Sequence, residues 1–172
     1  MGLLTVVSLG VAQLFALSTR TNYAARTQTT TTALAEQKME QLRSLTWGFD
    51  ADGLGLPVSD TTTNLAVWPP THTGSGLNPS PADALDRNTT GFVDFLDASG
   101  RWVGTGSNPP PGTTFIRRWS IQPLPTNPNN TLIVQVMVTH LSTEATRANS
   151  TEPRRRLPGD SWLVTVRTRK AS

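Results

Sequence analysis

Hydrophobic positions fall into three regimes along the chain. Residues 2–17, GLLTVVSLGVAQLFAL, form a nearly continuous apolar run interrupted only by Thr5, Ser8 and Gln13, and no ionisable side chain precedes Arg20. From Ala35 the pattern becomes periodic: Ala35, Met39, Leu42 and Leu45 recur at helical spacing, with Glu36, Lys38, Glu40 and Arg43 on the other sides. That spacing marks one apolar face of an amphipathic helix. Because no Gly or Pro intervenes between these two stretches, a single helix over residues 2–46 is predicted, about 68 Å long at the standard rise. The TQTTTT run between its halves is poor helix material, since each threonine loses a few tenths of a kcal/mol relative to alanine. Packing against a neighbour has to hold that segment, or it bends.

The third regime begins after residue 47. Residues 48–90 are rich in Gly and Pro with almost no apolar periodicity, which predicts a long irregular connection with a surface role. Strand signals follow. GFVDFLDASGRWVG reads as a hairpin in which Asp97 starts the turn and Gly100 takes a positive φ. Alternation places Phe115, Trp119 and Ile121 on one face of a strand, and Leu132, Val134, Val136 and Val138 on one face of the next. By the same argument Trp162, Val164 and Val166 point inward, with Arg167 and Arg169 outward. Connections rich in Pro and Asn favour an antiparallel meander over crossover helices.

The predicted fold is therefore α+β: an N-terminal helix (1–46) with an apolar anchor half (1–19) and an amphipathic half (33–46), and a head (47–172) carrying an antiparallel sheet over 91–169. The amphipathic half covers one face of that sheet, with Ala35, Met39, Leu42 and Leu45 packed on Trp119, Val134, Val136 and Val164. A head of this size cannot bury so long a rod. The apolar half, through Leu3, Leu4, Val6, Val7, Leu9, Val11, Leu14, Phe15 and Leu17, is expected to protrude into a membrane or a bundle of its own kind.

Composition narrows the chemistry. The chain lacks cysteine, which excludes disulfides, thiol catalysis and cysteine-ligated metals. His72 and His140 have no nucleophile or carboxylate pattern around them, so no catalytic constellation is expected. DADGLG at residues 50–55 resembles the start of a calcium loop, and Asp50 and Asp52, with Asp60 folding back, are the only metal candidates; without a closing Glu, a capping turn is the preferred reading. The net charge of +3 is a mild bias that admits nucleic acid as a partner. Arg117, Arg118, the 154–156 arginines, Arg167, Arg169 and Lys170 could form a basic stripe, but with Trp119 and Trp162 inward, solvated arginines facing acidic patches on other subunits fit better.

Three passages resemble type IV pilin-class proteins, in particular the minor pilin (pilus modification) branch and the minor pseudopilins of type II secretion. GLLTVVSLGVAQLFALSTRTNYAARTQ resembles the later part of the apolar pilin helix, and ALAEQKMEQLRSLTW the segment that ends it. FIRRWSIQPLP, TLIVQVMVTH and WLVTVRTRKAS resemble the last three strands of the head, while residues 48–90 have no counterpart. The family's signature, a Gly-Phe cleavage junction with Glu at the fifth mature position, is expected upstream of Met1. The resemblance implies a non-enzymatic subunit without cofactor, held in a bacterial inner membrane with a periplasmic head and then drawn into a pilus or pseudopilus at the cell surface. Its implied partners are other pilins or pseudopilins through the N-terminal helix. A ligand- or DNA-binding minor pilin is the further alternative.

Overall fold

Helix α1 runs from Gly2 to Ser44 without a break. The computed structural model describes residues 2–50, 54–148 and 156–169, leaving outside it the side chains of residues 2–10 and of Arg20. Threonines do not interrupt α1. Thr27, Thr29, Thr30 and Thr31 each turn the hydroxyl back to the carbonyl four residues earlier, at 3.0 Å, which satisfies the hydroxyl within the helix at a small cost to the helix itself. Tertiary contacts reinforce the same segment. Gln28 donates to Asp160 O and Ser161 Oγ, and Thr31 Oγ1 lies 2.9 Å from both Gly159 O and Ser161 Oγ.

The head contains a five-stranded antiparallel sheet in the order β4-β3-β5-β6-β7, formed by Val93–Leu96 (β3), Trp102–Gly104 (β4), Phe115–Pro123 (β5), Thr131–His140 (β6) and Ser161–Thr168 (β7). Asp97 Oδ1 accepts the amides of Ser99 and Arg101, and Gly100 at φ 78° closes the β3–β4 turn. β5 pairs with β3 rather than with β4, so the order is not a simple meander. A short helix α2, Leu141–Ala148, follows β6 where the sequence pattern predicts no element. His140 caps it, its Nδ1 accepting the Ser142 amide at 3.2 Å.

Residues 48–90 differ from expectation. They contribute a two-stranded sheet, Trp47–Phe49 (β1) with Pro57–Ser59 (β2), and then send Leu65, Ala66, Leu77 and Ala84 into the main core. The connection is irregular in backbone yet acts as core, because these few apolar residues cover what α1 leaves open. That core joins Leu34, Ala35, Met39, Leu42 and Leu45 of α1 to Phe115, Trp119, Ile121, Leu132, Val134, Val136 and Val138. A smaller cluster of Val93, Phe95 and Ile116 lies on the other face of the sheet.

The facing of β7 is the reverse of the sequence expectation. Val136 pairs with Leu163 and Val134 with Thr165, so Leu163, Thr165 and Arg167 share the face of α1, whereas Val164 and Val166 are 55% and 60% exposed. Trp162 sits with them on the far face, its Nε1 donating to Gln135. Polar requirements of the helix decide this parity. Arg167 donates to the carbonyls of Leu42 (2.8 Å) and Leu45 (2.9 Å), groups that the end of a helix leaves without intrahelical partners, and Ser161 receives Gln28 at the other end. Shifting the strand by one residue would bury the valines and lose both. Replacing Arg167 by Ala should therefore lower unfolding free energy by about 1.5–3 kcal/mol, while Val164→Thr should change it by less than about 0.5 kcal/mol. Urea denaturation checks both; a larger loss in the valine variant would reverse the facing.

Candidate functional site

Two features of α1 stand out: an N-terminal half whose described side chains are exposed and a packed half lying on buried charge. Among the described residues, the first hydrogen bonds from α1 to the head come from Gln28. The side chains of residues 11–19 and 21–26 are all exposed, a stretch of about 24 Å along the axis. In that span Leu14, Phe15 and Leu17 are 67%, 70% and 63% exposed, and Val11 and Tyr23 are also exposed. Leu3, Leu4, Val6, Val7 and Leu9 fall within the helix, and their side chains lie outside the described positions. Among the described residues no helix is long and apolar enough to cross a membrane.

Under the packed half, Asp94 of β3 stands opposite Arg117 of β5 in the ladder, both facing α1. Arg117 Nε and Nη2 bind the two carboxylate oxygens of Asp94 at 2.9 and 2.8 Å, and its Nη1 donates to Leu34 O and Gln37 Oε1 of the helix. Lys38 reaches down from α1 to the same carboxylate, Nζ to Oδ2 2.7 Å, and to Leu65 O at 2.7 Å. Its ammonium also sits 4.4 Å from the Trp119 ring centroid. Burial pushes the Lys38 pKa down from 10.5 to about 8, Asp94 opposing and Arg117 assisting the shift. Sequence spacing had put Lys38 on a solvated side of the helix and Arg117 among solvated arginines; both are buried. Asp94 gave one signal, a lone carboxylate between Val93 and Phe95 in an apolar strand.

The remaining candidates scatter. Arg118, expected in solvent, is buried on the opposite face, bonded to Asn88 Oδ1 and to Glu144 at 2.6 Å; Glu144 also pairs with Arg147, which binds Asp160. Arg117 and Arg118, adjacent in a strand, point to opposite faces, so they form no stripe. Arg169 covers the Trp47 ring and binds Gly48 O and Val58 O. Arg156 lies over Trp162; Arg154, Arg155 and Lys170 are outside the described residues. Asp50 accepts the Leu56 amide, and Asp52 is outside the described residues. Asp60 closes a turn: partial burial raises its pKa, but the Thr63 hydroxyl at 2.6 Å and the amides of Thr63 and Thr62 outweigh that and hold it below the usual carboxylate range. Among the described residues no three His, Asp or Glu side chains gather as a metal site.

No known protein family, characterised protein or solved structure matches this chain.

The folded protein releases the Lys38 proton near pH 8 and the unfolded chain near 10.5, so below pH 8 the unfolded state holds that proton more tightly and protonation penalises the fold. Stability should rise between about pH 8 and 10.5, by up to about 3 kcal/mol. Lys38→Met, of similar length and leaving Asp94 with Arg117, should flatten the rise. Urea midpoints followed by tryptophan fluorescence across that range test this; an equal pH response in both proteins would refute it.

Proposed function

We propose that this chain is a non-enzymatic subunit of a type IV pilus-like filament, of the minor pilin kind. The free half of α1 carries the proposal. Fully removing a large apolar side chain from water contributes about 1.5–3 kcal/mol, so Val11, Leu14, Phe15 and Leu17 together offer on the order of 5–10 kcal/mol to whatever surrounds them. Among the described residues the head's hydrogen bonds to α1 begin at Gln28, about 17 Å beyond Leu17 along the helix axis. A bundle of like helices supplies the missing surroundings, with the bacterial inner membrane as the earlier setting. Between lipid and helix neighbours the apolar surface is nearly indifferent, so polar groups such as Thr5, Ser8 and Gln13 bias the exchange towards the bundle.

In this reading the two halves of α1 have separate duties. The packed half fixes the head to the shaft through the core and the Lys38–Asp94–Arg117 seam, and the free half joins its neighbours. The head would ride outside the bundle.

A tagged chain expressed in its own host should copurify with filaments sheared from the cell surface. Leu14→Asp should reduce that incorporation about tenfold or more, since it places a charge in an apolar bundle, and should leave the thermal unfolding of the head unchanged. Absence of the tagged chain from the filament fraction, or normal incorporation of the Asp variant, would overturn the proposal.

A further inference from the structure

The charged seam opens to the surface through a cavity of about 420 Å³ between α1, the loop carrying Leu65 to Trp68, and the β3–β4 hairpin. We propose that this cavity is a binding site for a small organic acid, a single carboxylate carried on a flat apolar body.

Charge selects the sign of the ligand. Of the ionisable residues lining the cavity, Lys38, Arg101 and Arg117 are cationic and Asp94 alone is anionic. Asp94 is shared between Lys38 and Arg117, so one positive charge at the floor has no counterion there, and Arg101 adds another at the rim. A buried charge without a partner is costly. An anion entering the cavity relieves that cost, whereas a cation aggravates it. Donors remain for a carboxylate. A guanidinium has five N–H groups; Arg117 uses four, on Asp94, Leu34 O and Gln37 Oε1. The Gln41 side-chain amide, also on the lining, has no hydrogen-bond partner among the described residues.

The walls select the body. Trp102, 36% exposed, is held in place by its Nε1 donating to Ala66 O at 2.9 Å, and Trp68 is 61% exposed. Indole faces stack best on flat apolar groups. The volume lies in the ordinary range for small-molecule sites, and polar and apolar side chains line it in about equal measure. The depressed pKa of Lys38 is the kind of perturbation that clusters at such sites. This inference is independent of the filament reading and holds whether or not the chain assembles.

The test is titration of the 172-residue chain with benzoate and, separately, with benzamide, its neutral counterpart of the same shape, following the five tryptophan indole N–H signals by NMR. Benzoate should bind saturably with a dissociation constant of about 10 mM or tighter, shifting the Trp68 and Trp102 signals and leaving that of Trp162 on the opposite face in place. Benzamide should bind about tenfold more weakly or worse. Trp68→Ala and Arg101→Gln, both at exposed positions, should each weaken benzoate about threefold to tenfold without loss of fold. No saturable binding up to about 50 mM, equal affinity for benzamide, or shifts centred on Trp162 would each overturn the assignment.

Discussion

A carboxylate held by two cations, one from a helix and one from a strand beneath it, fixes their relative position as apolar contacts alone do not. Asp94 does this between Lys38 and Arg117. The apolar face of α1 is a stripe, and a stripe tolerates sliding by a turn. The seam does not, because moving Lys38 by one turn takes its buried ammonium off the Asp94 carboxylate, a loss of about 3–5 kcal/mol for a broken buried pair. Two further polar clamps act along the same axis: Gln28 and Thr31 on Ser161, and Arg167 on the carbonyls of Leu42 and Leu45. Together they set where the helix leaves the head, and hence how much of it is left free.

Period alone was enough for the coarse architecture. Ala35, Met39, Leu42 and Leu45 point into the core, the β3–β4 turn falls on Asp97 to Gly100, and five antiparallel strands occupy the expected stretch. Failures occurred where a polar side chain had a partner distant in sequence. Lys38 lies on the helix flank, where spacing predicts solvent, and only the long-range pairing of β3 with β5 brings Asp94 beneath it. In β7 the apolar residues Val164 and Val166 lost the inward face to Ser161 and Arg167, because hydrogen bonds at both ends of the helix stretch outweighed two valines. Residues 48–90 were illegible for another reason. Among the described residues their core contributions are the adjacent Leu65 and Ala66, then Leu77 and Ala84, set in an irregular backbone, and no periodicity can reveal them.

The result is an unequal molecule. Its head buries ion groups on both faces of one sheet, while Val11, Leu14, Phe15 and Leu17 in the first half of α1 stand exposed. The proposed organic-acid cavity and the proposed assembly helix are thus separate surfaces, one beside the packed half of α1 and the other on its free half. Ligand and neighbour would not compete for the same residues.

The threonines of α1 carry one more consequence. Thr19, Thr21 and Thr29, all exposed, each donate the hydroxyl proton to a carbonyl one turn back, and the other branch of each side chain is a methyl group. A stretch that scores as hydrophilic residue by residue therefore presents a rind of small greasy bumps, with its polarity folded inward against its own spine. Such a surface lets two rods lie close together without asking either to give up a bond to water.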